Sequence, residues 1–350
     1  MRYDLVNQGG VEIAISVPVS DPNAPSYWVT PGDYSGVVEL DLSGEDVCTG
    51  TLLTSGRHIL TAAHCFETTE QTGRPTLTPN ARTVTAVFHL SKDTAAFPVE
   101  AIFVYPEWQN LESSNGDLAI VQLFEQAPEE AQRYELYRGK DEVGQVFTRV
   151  GFGSQSTGQR GEVALDKDDL TPVMRFGQNQ YDARGEVFNE PDTAPESYVE
   201  PGQQLVYDFD SGKAENDAFG AEFGWPNLGL GDREIGSSRG DSGGPAFIDG
   251  KIAGISSTGL SPDQENIDVT WPNDTSFGEY FFDTRVSAFT GYIDQVMAGD
   301  IPQPTPTPSN IPSLGLAAGV PLTIGAATWA LVAKAKNNRK QQNNGPERKK

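Results

Sequence analysis

Histidine is scarce in this 350-residue chain: His58, His64 and His89 are the whole supply. A mechanism that needs a histidine base therefore has three candidates, all ahead of residue 90. Cysteine is scarcer still, with Cys48 and Cys65 alone. Cys48, His58, His64 and Cys65 lack the paired spacing of a structural zinc module, so no metal is expected from them. Basic charge is also short, with 25 Lys and Arg against 49 Asp and Glu and a formal net charge of −24. Residues 334–350 hold seven of those basic groups and one of the acidic ones. That leaves 18 basic and 48 acidic groups in residues 1–333, about −30 net. A surface of that sign repels nucleic acid and anionic lipid, which excludes a nucleic-acid partner and suits a soluble exported domain. Residues 1–20 lack an uninterrupted apolar stretch, because Arg2, Asp4 and Glu12 intervene. The segment does not read as a signal peptide, and a start upstream of Met1 is the expectation.

What is present points to strands. Short apolar runs are separated by turn residues, among them 37 Gly and 24 Pro, which favours an all-β chain. The runs include Val37–Leu40, Thr83–Phe88, Leu118–Leu123 and Lys251–Ile255. One segment differs: Val286, Phe289, Ile293, Val296 and Met297 recur near helical spacing and predict a helix over Val286–Met297.

Three strings carry chemistry: Thr61-Ala62-Ala63-His64-Cys65, Gly116-Asp117-Leu118-Ala119-Ile120 and Gly240-Asp241-Ser242-Gly243-Gly244-Pro245. A serine hydroxyl is a weak nucleophile at neutral pH and needs a base to take its proton. Histidine titrates closest to working pH, and a carboxylate can fix its tautomer and stabilise the imidazolium. Gly240-x-Ser242-x-Gly244 also fits the nucleophile elbow of α/β-hydrolases, but that order needs a His after the Ser and none follows Ser242. The subtilisin order would need Asp41 or Asp46, whose context is poorer than that of Asp117 ahead of an apolar run. His58 and His89 have no comparable context and read as structural or surface residues. In the order His64, Asp117, Ser242 the three strings resemble the trypsin/chymotrypsin family of serine proteases, and the resemblance runs from about Tyr34 to Met297.

The resemblance implies a serine endopeptidase acting on proteins or peptides without a cofactor. His64 would be the base, Asp117 its orienting carboxylate and Ser242 the nucleophile. The N–H groups of Gly240 and Ser242 would form the oxyanion hole. It also implies two six-stranded antiparallel β-barrels with the site between them and a closing C-terminal helix. A Cys48–Cys65 disulfide is implied too, hence an oxidising compartment. Gly236, six residues before the nucleophile, falls at the floor of the primary pocket, with Ser257, Thr258 and Gly259 on its wall. These neutral groups imply an apolar or aromatic residue before the cut bond, unless Glu279 or Asp283 turns into the pocket. Asp241 resembles the residue that pairs with a freed amino terminus after zymogen cleavage. No Ile-Val-Gly-Gly-type start precedes Cys48; Asp33–Val38 is the nearest approach. The alternative reading is an inactive homologue used as a cell-surface binding module. Such proteins usually lose a triad member, and this chain keeps all three.

The sequence divides into an extension (1–33), the protease-like domain (34–300), a Pro-rich spacer (301–312), an uncharged apolar segment (313–333) and a basic tail (334–350). The spacer composition favours an extended, semi-rigid chain. The apolar segment is about as long as a bilayer-spanning helix, and Lys334, Lys336, Arg339 and Lys340 follow at once. Spacer, apolar segment and basic tail resemble bacterial C-terminal sorting and anchoring signals of the PEP-CTERM type, without the Pro-Glu-Pro triplet. This implies membrane attachment through the C-terminus and an extracytoplasmic, cell-surface location. In the middle region, Tyr207–Gly212 looks like half of a calcium loop, but Phe219 stands where the closing Glu belongs. A solvated acidic loop is the expectation there.

Overall fold

The computed structural model describes residues 11–13, 15–21, 24–42, 46–69, 75–77, 81–108, 115–154, 156–162, 170–189, 198–264, 266–270 and 273–304. Its first half is built from β1 (Val37–Leu42), β2 (Asp46–Leu52), β3 (His58–Thr61), β4 (Val84–His89), β5 (Thr94–Val104) and β6 (Ala119–Leu123). These close into an antiparallel barrel in the order β6-β3-β2-β1-β4-β5. Alternation drives the closure: Val84, Ala86 and Phe88 of β4 point inward while the residues between them are half-buried. A barrel this narrow leaves no room at some inward positions. A Cβ at Gly50 of β2 would lie 2.5 Å from Ile59 Cγ2, so the smallest residue stands where the walls come closest.

The second half comprises β7 (Val146–Gly151), β8 (Arg175–Gln180), β9 (Ala183–Arg184), β10 (Gln204–Asp208), β11 (Pro245–Ile248), β12 (Lys251–Leu260) and β13 (Tyr280–Arg285). It is a seven-stranded sheet in the order β8-β7-β11-β12-β13-β10-β9, not the second closed six-stranded barrel that the resemblance implied. The reason is local. The two edge strands, β8 and β9, are consecutive in the chain and separated only by Tyr181 and Asp182. One bent segment pairs with β7 over its first part and with β10 over its second, so the sheet joins up through a covalent bend rather than a ladder.

Two helices complete this half. Helix α1 (Ala218–Phe223) is short and is capped by Asp217, whose side chain accepts the Gly220 N–H. Helix α2 (Val286–Ala298) forms where the apolar spacing predicts it and ends at Gly299 with φ +79°. Its buried Val286, Phe289, Ile293 and Val296 belong to the apolar cluster of the first barrel, so the last helix reaches back over the first half. Residues ahead of Tyr34 also enter the fold. Ser16–Val17 pairs in parallel with Ser156–Thr157, Ser16 bridges to Gly236, and Ile15, Ser16 and Val17 are fully buried. The apolar segment 313–333 and the basic tail lie outside the described residues. Among the described residues no helix is long and apolar enough to cross a membrane.

Candidate active site

Strand β3 ends at Thr61, and the chain turns through a short helical turn, His64–Phe66. Cys65 in that turn is bridged to Cys48 on β2, with 6.3 Å between the Cα atoms, so the implied disulfide is present and staples the histidine segment to the barrel wall. Asp117 sits two residues before β6 and is fully buried. Its Oδ2 accepts a hydrogen bond from His64 Nδ1 (2.7 Å) and its Oδ1 accepts one from the His64 main-chain N–H (2.9 Å). One carboxylate thus holds both the ring and the backbone of the same histidine. An Nδ1–H donated to Asp117 leaves the Nε2 lone pair free to act as a base.

The electrostatics fit that role. Burial disfavours the imidazolium, but the Asp117 charge and hydrogen bond outweigh it and Glu67 adds to them, so the His64 pKa is raised above its ordinary value. Burial alone would raise Asp117; the His64 charge, the His64 hydrogen bonds and a bond from Ser257 hold it below the usual carboxylate range instead.

Ser242 reaches this pair through Thr49. The Thr49 N–H donates to Ser242 O (2.8 Å), and Thr49 Oγ1 donates to Gly240 O (2.8 Å) and accepts the Phe152 N–H (3.1 Å). The Thr49 carbonyl accepts Thr61 Oγ1–H (2.8 Å), so one residue of β2 holds both the serine loop and the strand that delivers His64. Cys65 Sγ lies 3.8 Å from Ser242 O. Gly243 has φ +80°, and a Cβ there would sit 2.0 Å from Thr61 Oγ1; only glycine lets the loop come this close. The two hydrogen bonds that His64 donates both go to Asp117, and among the described residues none joins Nε2 to Ser242 Oγ. Such bonds commonly tighten only once substrate is bound.

Asp241 is buried beside Ser242, and its acceptors are filled from within the chain. Oδ1 takes the Gly153 N–H (2.8 Å), and Oδ2 takes the Ser238 N–H (2.9 Å) and hydroxyl (3.2 Å). Burial nevertheless pushes its pKa up to about 6. Gly240 has φ +99°. Its N–H and that of Ser242 have no acceptor among the described residues, as donors to an incoming oxyanion should.

The expected pocket residues separate into two groups. A Cβ on Gly236 would meet the rings of Phe209 (2.9 Å) and Phe281 (3.2 Å), so aromatic carbon surrounds that position. Gly259 lies against Asn273 and Phe281, and Thr258 is half-buried. Ser257 has a task that the sequence does not reveal. Its hydroxyl donates to Asp117 Oδ2 (2.6 Å), while Thr284 Oγ1 donates to the Asp117 carbonyl (2.8 Å). Both contacts span more than a hundred residues of sequence, so no local signal could have found them. Neither acidic residue that could have changed the pocket is free to do so. Glu279 accepts the N–H groups of Asp274 (2.7 Å), Thr275 (3.0 Å) and Ser276 (3.3 Å). Asp283 pairs with buried Arg149 and accepts the Tyr181 hydroxyl. His58 bonds Ser55 Oγ (2.9 Å) and His89 bonds Glu39 (3.0 Å), away from the site. A separate pocket of about 610 Å³, lined by Leu53, Tyr134, Leu136, Arg138, Lys251 and Met297 among others, contains none of the candidate residues.

A second expectation, after the closed second barrel, is overturned. The acidic stretch after Tyr207 is not solvated: Asp208 and Asp210 are 1% and 3% exposed. Phe209 and Phe219 pack inward on either side of it and carry the carboxylates into the protein.

The Trypsin family model matches residues 29–187, a stretch that holds His64 and Asp117 and ends before Ser242. No curated protein matches the chain. Among solved structures, neuropsin, a serine protease expressed in the limbic system of mouse brain, is similar over 77% of this chain and 98% of its own, with a TM-score of 0.50 and 17% identity. An identity that low speaks to architecture. The chain has the fold of the trypsin-like serine proteases, and its first barrel lies within the Trypsin-family match.

Proposed function

We propose that the protein is a serine endopeptidase working through an acyl-enzyme. The observation that carries this reading is the double hold of buried Asp117 on His64, with the Ser242 loop hung on the same barrel strand. His64 Nε2 takes the Ser242 hydroxyl proton as Oγ attacks the substrate carbonyl. The N–H groups of Gly240 and Ser242 hold the oxyanion, and His64 returns the proton to the leaving amine. Water then attacks the ester by the same proton route and frees Ser242. Asp117 stays ionised throughout and stabilises the imidazolium. All three triad positions are filled, which speaks against the inactive binding module.

Phe209 and Phe281 around Gly236, together with the engagement of Glu279 and Asp283 elsewhere, support an apolar or aromatic residue before the cut bond. The internal donors on Asp241 support activity without a freed amino terminus. The Cys48–Cys65 bridge supports an oxidising, extracytoplasmic compartment. Attachment to a membrane through residues 313–333 is part of the proposal and rests on sequence alone. The test is covalent labelling by a fluorophosphonate. The wild-type chain should label at Ser242 and lose peptidase activity in step, and Ser242→Ala should do neither. A folded wild-type chain that fails to label beside a reactive control protease would sink the proposal.

A further inference from the structure

Oxygens of Asp208, Asp210 and Asp217 lie within 4.8 Å of one another, and all three residues are buried. Glu234 is also fully buried and accepts the Asp210 N–H (2.8 Å). Asp182 is joined to the group through Asn227, whose side chain donates to Asp182 Oδ1 (3.0 Å) while its N–H donates to Asp217 Oδ2 (3.2 Å). Backbone amides orient the rest: Phe219 N–H holds Asp208 Oδ2 (3.0 Å) and Gly220 N–H holds Asp217 Oδ1 (2.6 Å). Asp208 Oδ1 and Asp210 Oδ1 receive no donated hydrogen bond although they are shut off from water. Among the described residues none of the five carboxylates is paired with a Lys, Arg or His.

Buried, unpaired carboxylates are costly, and proteins neutralise them with a proton or a cation. A proton alone fits the geometry poorly. It can be shared between Asp182 and Asp208, whose side chains are within hydrogen-bond reach, but that leaves Asp210 Oδ1 without a partner and the charges of Asp210 and Asp217 unmet. A metal ion uses Asp208 Oδ1 and Asp210 Oδ1 at once. The donors are all oxygen, with no histidine or thiolate, which selects a hard cation. Calcium takes six to eight oxygens at about 2.4 Å, so ligands of one ion lie up to ~4.8 Å apart. Magnesium prefers to keep several waters, which this dry cluster does not favour.

We propose that Asp208, Asp210 and Asp217, with Glu234 and Asp182 around them, bind one calcium ion that braces the primary pocket. The link to the pocket is short. Asn179 Nδ2 donates to both Asp208 O (2.9 Å) and Ile235 O (3.0 Å), and Phe209, between two of the ligands, packs on Gly236. The bracing of the pocket rests on the protease reading; the ion site itself does not, because the fold alone brings these residues together.

The test uses the full chain as Ser242→Ala, to prevent self-cleavage, stripped with EDTA and returned to calcium. Equilibrium dialysis with radioactive calcium should show one tightly bound ion per chain, and calcium well above its dissociation constant should raise Tm by roughly 5–10 °C. Asp208→Asn/Asp210→Asn should lose the bound ion and the calcium response. In EDTA that variant should be at least as stable as its parent, because the like-charge repulsion is gone. Absence of a tight ion in the parent chain overturns the proposal whether or not the variant folds. So does a calcium response retained by the double variant. An equal Tm rise with magnesium would overturn the choice of calcium.

Discussion

Between residues 37 and 123 the described chain buries two acidic, basic or histidine side chains, His58 and Asp117; between 142 and 285 it buries twelve. The two halves are held together in different ways. The first barrel is an apolar box whose one buried carboxylate serves the site. The second sheet is built around charge: Arg149 pairs with Asp283, Arg285 with Glu142, and Asp241 is held by amides. Burying apolar area stabilises without regard to direction, so the barrel tolerates small shifts. A buried ion pair or hydrogen-bonded carboxylate has steep geometric demands and is costly when half-made. The half with more exacting contacts is the one that shapes the Ser242 loop, the proposed oxyanion donors and the proposed pocket.

The sharpest test of this contrast is Asp117→Asn. It removes the buried charge of the first half and should leave the fold intact. If the site works as proposed, kcat should fall by roughly 10⁴-fold, because the imidazole loses both its tautomer and its countercharge. Steady-state kinetics beside a circular dichroism melt would separate this from unfolding. Arg149→Ala should do the reverse. It leaves Asp283 buried without its cation and should cost about 3–5 kcal/mol of stability by urea denaturation. Arg149→Met with Asp283→Leu should recover most of the loss. If the single variant costs less than about 1 kcal/mol, the second half is not built around its buried charge.

Cys48→Ala/Cys65→Ala should lower the stability of the first barrel by about 3 kcal/mol, an effect that a reducing agent reproduces in the wild type. The smallest effect is on pH dependence. The His64 pKa is raised, and only the neutral ring is a base, so kcat/KM should fall as pH drops through an acid limb lying above the ordinary histidine value of 6.5. Ser257→Ala removes a donor that competes with the imidazolium for the charge of Asp117, which stays ionised on its remaining bonds from His64. The limb should then move to higher pH by a fraction of a unit, with KM little changed. A limb that stays in place would mean that Ser257 does not act through Asp117.

Legibility in the sequence follows the same division. Short contiguous strings announced His64, Asp117 and Ser242, and apolar periodicity found strands of both halves and helix α2. Contacts that refine the site join distant positions: Ser257 to Asp117, Arg149 to Asp283, Asn179 to Ile235. Nothing in the immediate neighbourhood of Ser257 marks it as a partner of the carboxylate. Acidic runs are ordinarily solvated, which is why Asp208 and Asp210 read as a surface loop. Their burial is imposed by Phe209 and Phe219, whose inward direction becomes visible only with the sheet in place. The closed second barrel was implied by the family resemblance, and the bend at Tyr181–Asp182 that joins the sheet instead leaves no mark in a strand pattern.

Thr49 has one more consequence. The distance between base and nucleophile could have been set through two long chains of contacts, each adding its own thermal error. Here both parts are measured from a single datum, because the Thr49 N–H and hydroxyl fix the serine loop while its carbonyl fixes the histidine strand. A displacement of β2 carries the two together and cancels in their separation. The alignment of the reacting atoms is thereby insulated from breathing of the barrel, and the spread of that distance should be narrower than the spread of either position in the molecule as a whole.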